Sequence, residues 1–536
     1  MKLVLISLLL LSYSTFAQLT TSNLPILIIT NQSGQVIQDD PRVRAHLGVI
    51  DNGVGNMNNI NDPFNNYNDS VAIEYRGSTS QQYPKKGYGF ETQDAFGNNL
   101  PVGLLGMPVE NDWILNGPYP DKTLIRNVLT FHLARKMGHY ASKTRYCELV
   151  IDGDYRGIYI LMEKIKKDGD RVDVADVHIP NQWNDTITGG YIVKVDKTTG
   201  DVPYQWTSNF NNEVIFQFQD PEYDELDPLQ SSYMENYINE FEAAINGPNF
   251  ADNALGWPAY IDEQSFHDFF ILQELGRTVD GYRSSSFMHK DRNTLAWNAK
   301  LVAGPMWDFN LSYGNADYCD ADEIYGWQYE FDDICGNFST SIPFWWEKLQ
   351  EDWLYEQNLR CRWEELRQGV LSTAYINNYI DSVALELTDA RIRNFQRWPI
   401  IGQYVNWNGF VGQTYQEDVD FLKTYLEQRS VWIDNNLPGN CNLEIEEQEF
   451  VALHHKAWPN PFTNQLALGF STFEIGEVVV EIRDLSGRLL EQLKLGEKCA
   501  GAHAIDLKSA QWDIGNYLYT VLFNGTVIHT GKIIKI

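Results

Sequence analysis

Apolar and polar residues alternate over positions 71–76 and 88–91, and again over 145–151 and 156–162 on either side of Asp152-Gly153. A period of two predicts strands with one buried face, and Asp-Gly between two such runs predicts a tight hairpin. Between these strands the period changes. Leu124, Val128, Leu129 and Leu133 recur at helical spacing, Arg135 and Lys136 suit the negative end of a helix dipole, and Gly138 offers a left-handed cap, so a helix is predicted over 123–137. Residues 24–196 therefore read as strand-rich with one helix.

From 231 to 437 the helical period dominates, with helices predicted over 234–245, 262–275, 344–366, 375–395 and 415–435. One short strand pair, 286–290 and 300–303, interrupts this half between Asp280 and Asp308. An acidic stretch at 444–449 then gives way to period-two runs at 478–483, 488–495, 517–523 and 527–536, the pattern of a small sandwich. The expected fold class is α+β: a bilobal body, strand-rich then helix-rich, followed by a small all-β module.

The first residues add an address. Met1-Lys2, an apolar run from 3 to 11, and Phe16-Ala17 before Gln18 have the order of an export signal cleaved after Ala17. That run is too short to span a bilayer, and no later stretch is long and apolar enough to do so. The expected segments are a signal peptide over 1–17, the body over 18–441, a linker over 442–450 and the β-module over 451–536. Asp plus Glu number 72 against 41 Lys plus Arg, a net charge of -31, which argues against nucleic acid as a partner. The cysteines at 147, 319, 335, 361, 441 and 499 contain no C-x-x-C pair. Cys319 with Cys335 would close a short acidic loop, and Cys361 with Cys441 would pin a helical end, although spacing leaves the connectivity open.

Several catalytic signatures are absent from the sequence, among them G-x-S-x-G, H-E-x-x-H and the Walker loop. The candidates are polar residues in apolar or glycine-containing settings. A small polar loop from Arg76 leads to Lys85 and Lys86, which could meet phosphates, although on the residues alone a basic turn on an acidic surface is the favoured reading. Glu163 and Ile165 stand where a strand ends and a flat ligand could meet backbone groups. Asp280 follows a Phe- and Leu-rich helix, and Asp308 follows a short strand in Gly304-Pro305-Met306-Trp307-Asp308. Two carboxylates at the ends of apolar elements are costly indoors unless paired or metal-bound. One could deprotonate a nucleophile while the other holds a divalent cation; helix or turn capping is the plainer alternative. Asp317, Asp320 and Asp322 lack a calcium-loop spacing and read as a solvated acidic loop.

Taken in order, Arg76-Gly77-Ser78 with Lys85-Lys86, Asp112-Trp113 with Asp121 and Ile125-Arg126-Asn127, Tyr155 to Ile165, Gly189-Gly190-Tyr191 to Asp196, Asp280-x-Tyr282 and Trp307-Asp308-Phe309 resemble the CotH protein kinase family. That resemblance implies an atypical protein-kinase-like fold that binds ATP and Mg²⁺ and phosphorylates Ser or Thr of partner proteins. It makes Asp280 the catalytic base, Asp308 the principal metal ligand, and Lys85 or Lys86 a phosphate contact, with Glu163 and Ile165 near the adenine. Ser285 stands where many relatives carry Asn as a second metal ligand, and Asn310 where they carry a second carboxylate. Both changes reduce charge around a cation, so a catalytically weak or inactive surface adhesin on the same scaffold is the alternative.

The tail has its own likeness. Trp458-Pro459-Asn460-Pro461-Phe462, Asp484 to Arg488, Gly515 to Val521 and Gly531 to Ile536 resemble the C-terminal sorting domain of the type IX secretion system of Bacteroidetes. This implies the secretion machinery as a partner and a secreted or cell-surface location on the exterior of the outer membrane.

Overall fold

The computed structural model describes residues 19–441 and 456–536, apart from 32–33, 178–186, 200–203, 223–224, 295–297, 337, 473–474, 486, 500 and 510–511. The expected signal peptide over 1–17 and linker over 442–450 lie outside the described residues. The described fold is mixed α+β, and it separates into two compact units, each assembled from discontinuous stretches of chain.

The first unit, which includes Met1–Tyr119, Thr144–Met162 and Ala384–Ile401, contains a closed barrel of strands Ile26–Asn31, Val43–Ile50, Tyr67–Arg76, Gly87–Gln93, Asp112–Asn116, Asp154–Glu163 and Thr144–Ile151. Alternation explains the barrel: Val71, Ile73, Phe90, Trp113, Leu149 and Tyr159 join one buried cluster, while neighbours such as Ile114, Val150 and Ile158 are buried outside that cluster. The predicted hairpin forms at Asp152 (φ 51°) and Gly153 (φ 78°), the left-handed pair that a two-residue turn requires. A parallel pairing of Ile26–Asn31 with Thr144–Ile151 lies among antiparallel ladders.

Helix Thr388–Arg397 also belongs to this unit, bonding through Arg393 to Glu148 at 2.8 Å. The single helix expected over 375–395 is thus two, Thr373–Glu386 and Thr388–Arg397, and the boundary between the units falls inside the first, after Val383. The expected helix 344–366 is likewise divided into Trp345–Leu349 and Trp353–Gln368, because Asp352 turns its carboxylate to cap Leu354 N–H at 2.9 Å. Periodicity passes through both breaks, since the apolar face is continuous across them.

The second unit takes Pro120–Lys143, Glu163–Val383 and Gly402–Ile536. Here helix Arg126–Lys136 and a five-stranded antiparallel sheet accompany the helical elements. The strand pair expected between Asp280 and Asp308 is present as Ser286–Lys290 and Leu301–Ala303, and it is the edge of that sheet, whose order continues through Tyr191–Val195, Ile215–Asp220 and Gln205–Thr207. Helix Glu263–Gly276 is capped by Asp262, which accepts from Ser265 N–H at 2.9 Å, and ends at Arg277 in the left-handed region (φ 47°). Behind it Arg429, from helix Tyr415–Asn436, forms a buried 3.2 Å ion pair with Glu274. Disulfides join Cys319 to Cys335 and Cys361 to Cys441, the two pairings considered above while the connectivity stood open.

The C-terminal residues form a three-stranded and a four-stranded sheet around Phe462, Leu468, Phe470, Val480, Ile482, Tyr519 and Val521. Strands Gln465–Thr472 and Gly501–Lys508 join the four runs read from the sequence. No described helix is long and apolar enough to cross a membrane.

Candidate active site

Asp280 sits in the turn that carries the chain from helix Glu263–Gly276 into strand Ser286–Lys290. The turn is tightly specified. Gly281 lies where an added Cβ would come within 2.5 Å of Gln273 Oε1 and 3.0 Å of Thr278 O. Tyr282 is buried and donates its hydroxyl to Glu274 at 2.9 Å, and Ser284 N–H returns to Asp280 O at 2.8 Å. Asp308 lies just past strand Leu301–Ala303, after Gly304 N–H bonds Phe287 O at 2.8 Å. Its neighbours are anchored on helix Arg126–Lys136: Phe309 N–H donates to Asn127 Oδ1 at 2.6 Å, and Trp307 stacks on Phe131 with ring centroids 5.9 Å apart. Tyr282, Ser285 and Asp308 have φ of 64°, 51° and 62°. Left-handed backbone costs a non-glycine residue about 1 kcal/mol or more, so these bonds hold a strained pair of turns in place.

The two carboxylates share one electrostatic environment. Burial raises Asp280 above the ordinary range, Lys197 and Arg283 pull it down, and Asp196 adds to the rise. Asp308 is pushed up to about 6, first by loss of hydration, then by Asp280; Asp196 adds, while Asn310 and Lys197 oppose. Asp308 is nevertheless exposed to solvent. Of the two expected metal-site neighbours, Asn310 gives Asp308 one long amide contact, 3.4 Å, and its own buried Oδ1 has no hydrogen-bond partner. Ser285 is half-buried in the Asp280 turn.

Among the described residues no group of three or more His, Cys, Asp or Glu is arranged to hold a metal, so this is no all-protein cage. A hard cation of the magnesium type asks for less: one or two carboxylates, with water and phosphate completing the shell. A carboxylate raised by Asp280 and Asp196, beside a buried amide oxygen with no hydrogen-bond partner, fits that requirement.

Ile165 packs with Val172, Val174, Ile192 and Phe287, and Trp307 lies against the same cluster, so an apolar surface adjoins the residue before Asp308. Glu163 is 0% exposed and accepts from Lys143 N–H at 2.9 Å and Tyr140 O–H at 3.2 Å, while its Oε1 is buried without a partner. Lys85 and Lys86 belong to the barrel unit. Lys85 is 2% exposed, donates to Asn394 Oδ1 at 2.9 Å and lies 5.1 Å over the Tyr159 ring; burial pushes its amine down to about 7. Lys86 is half-buried and donates to Gln81 O.

Sequence reasoning missed Asp196, Lys197, Asn127 and Arg283 as parts of this site. Asn127 and Asp196 were in the matching motifs, but the sequence carried no signal of what they face. Register supplies it: Val195 pairs with Ser286, which sets Asp196 and Lys197 beside the end of the Asp280 turn.

A half-buried Asp280 and an exposed, left-handed Asp308 at the ends of a strand pair define an acid-lined polar site on a mixed α+β scaffold. Residues 73–433 match the CotH kinase protein family, and the chain belongs to that family. Residues 456–536 match the secretion system C-terminal sorting domain, so the protein is handled by type IX secretion and is secreted or displayed at the cell surface. No curated protein matches the chain. A solved structure, the Pseudomonas fluorescens alkylpurine DNA glycosylase AlkC bound to DNA containing an abasic site analog, is similar at 9% identity over 39% of this chain and 70% of that chain, with a TM-score of 0.13 that carries no argument.

Proposed function

We propose that this exported CotH-family protein is an atypical kinase that transfers the γ-phosphate of ATP to Ser or Thr of a partner protein. The observation that carries the reading is the shared electrostatic environment of Asp280 and Asp308, two carboxylates brought to one place by a strand pair and left without enough counter-charge. Asp280 takes the hydroxyl proton as the acceptor oxygen bonds to the γ-phosphorus and the bond to the leaving ADP oxygen breaks. Asp308 and Asn310 are the residues that would hold Mg²⁺, which neutralises charge on the phosphates. The apolar cluster of Ile165, Val172, Val174 and Phe287 suits a nucleoside base, with the backbone around Glu163 as its polar edge. The loop lysines enter as phosphate contacts on family likeness. Lys86 suits that role better than Lys85, whose amine is enclosed by Asn394 and Tyr159.

On this reading the chain comprises an exported kinase-like body over 18–441 and a sorting domain over 451–536, preceded by a signal peptide over 1–17 and separated by a linker over 442–450. The test is transfer of labelled phosphate from ATP and Mg²⁺ to a protein acceptor. Equal incorporation by wild type and Asp280→Ala would sink the assignment.

A second reading is favoured by Ser285 and Asn310, neutral side chains beside the expected cation. It makes the protein a surface adhesin on the same scaffold without turnover. Nucleotide-independent binding of a partner that survives loss of both Asp280 and Asp308, with no phosphate transfer, would establish it.

A further inference from the structure

One buried amine in the barrel unit has no part in the chemistry above. Lys85 follows the polar loop that leads from Arg76, and Tyr159 O–H fixes that stretch by donating to Lys86 O at 2.8 Å. Its stem is confined as well, since a Cβ added at Gly117 would come within 3.3 Å of Lys85 Cγ. The amine ends indoors without a counter-charge. Its contacts are Asn394 Oδ1 at 2.9 Å and the face of the Tyr159 ring, and among the described residues no carboxylate pairs with it. An unpaired ammonium is costly in such a place, and burial, which pushes the amine down to about 7, leaves much of it neutral and nucleophilic near neutral pH. Asn394 is as enclosed as the lysine, each being 2% exposed. It belongs to helix Thr388–Arg397, whose end is anchored by Trp398 Nε1 donating to Arg156 O at 2.8 Å. Besides Lys85, Asn394 Oδ1 accepts from Ile158 N–H at 3.1 Å, and it fills the space over Gly157, where an added Cβ would approach it to 2.5 Å. Two donors on one carbonyl oxygen draw electron density from its carbon, and the backbone N–H stays in place to stabilise an oxyanion as it develops.

We propose that Lys85 and Asn394 join in an intramolecular isopeptide bond. A turn about the Cε–Nζ bond exchanges the donated N–H for the lone pair, which adds to Asn394 Cγ. The oxyanion on Oδ1 is met by Ile158 N–H, and a proton passes from Nζ to Nδ2. The Cγ–Nδ2 bond then breaks, ammonia leaves and a secondary amide remains, with no oxidant or reductant involved. An amide is inert to a free amine in water, but two groups already held in contact react as one molecule, with effective molarities on the order of 10⁵ to 10⁸ M in well-oriented cases. The product ties helix Thr388–Arg397 to the barrel across a sequence separation of 309 residues, a cross-link of the disulfide kind that survives reduction. It also leaves Lys86 as the lysine of this loop able to meet phosphate. The inference does not rest on the kinase reading, and neither outcome of its test bears on phosphate transfer.

Mass spectrometry of the full-length protein, purified folded, then reduced and digested with trypsin, tests the bond directly. The expected product is a branched peptide that contains both residues, is uncleaved after Lys85 and is lighter than the sum of its two parts by one ammonia, with the separate peptides correspondingly depleted. Lys85→Arg and Asn394→Ala should lack the branch. So should wild-type chain recovered from inclusion bodies and kept in denaturant, because the reaction needs the folded contact. Folded wild type decides the matter, so misfolding of either variant leaves the result intact. Separate, unmodified Lys85 and Asn394 peptides from folded wild type would overturn the inference. Conversion of Asn394 to Asp without a branch, or a branch equally abundant in chain that never folded, would overturn it too.

Discussion

Two acidic sites in the same unit, one at each end of a single stretch of chain, are built in opposite ways. At Glu274 each oxygen is satisfied: Tyr282 O–H and Tyr329 N–H reach Oε1 at 2.9 and 3.2 Å, and Gln328 N–H and Arg429 reach Oε2 at 2.7 and 3.2 Å. Arg429 spends its remaining donors on Glu274 O, Ile324 O and Gly326 O. At Asp308, a few strands later, one long amide contact faces two further carboxylates, Asp280 and Asp196. Buried charge that is fully bonded specifies a structure; charge left short of partners beside solvent is a place where something else binds. The glutamate braces the Asp280 turn through Tyr282, so the satisfied site holds the unsatisfied one in position.

Mutations at the two sites should therefore move different quantities. The largest effect falls on activity: Asp280→Asn should lower phosphate transfer about a thousandfold, with a melting temperature no lower than wild type, because general-base removal costs two to four orders of magnitude. A comparable loss accompanied by unfolding would place Asp280 with Glu274 as a brace. Next comes stability. Arg429→Met strands the Glu274 carboxylate and should cost about 3–5 kcal/mol in chemical denaturation, as removal of one partner of a buried pair does. A cost under about 1 kcal/mol would show that the pair is not the brace described.

The smallest effect has the opposite sign. Asp308 has its carboxyl pushed up to about 6 from an ordinary 3.8, so the folded state keeps a proton that the unfolded chain has lost. Its contribution is fully present below about pH 4 and disappears as pH rises through about 6. Asp308→Asn removes that penalty. Melting at pH 7.5 should rise by the equivalent of about 1 kcal/mol, discounted for the side chain's exposure, and at pH 4 the variant and wild type should match. A variant that is destabilised at pH 7.5 would mean that Asp308 is bonded rather than repelled.

The elements of this site were legible before their arrangement was. Period-two runs around Asp152-Gly153 gave the hairpin, and a strand pair bracketed by Asp280 and Asp308 was visible because each strand is short and bounded by turn residues. Barrel closure was not visible, since the pairing of Ile26–Asn31 with Thr144–Ile151 joins segments more than a hundred residues apart, and alternation reports which face is buried but not what covers it. The break at Leu387 was hidden for the same reason: the buried helical face, Ile376, Ile380, Val383, Leu387 and Ala390, continues across it. Strands Gln205–Thr207 and Ile215–Asp220 were missed because each is short, although Phe216-Gln217-Phe218-Gln219 alternates with a period of two. Asp196 and Lys197 became part of the site only through the register of Val195 on Ser286.

The most direct test of the central claim is a crystal structure of the protein soaked with Mn²⁺ and a non-hydrolysable ATP analogue, measured for anomalous scattering. The account predicts a metal peak bonded to Asp308, with phosphate density beside it and Asp280 facing the terminal phosphate. A metal-free Asp308 with the nucleotide elsewhere, or with none bound under saturating conditions, would contradict it.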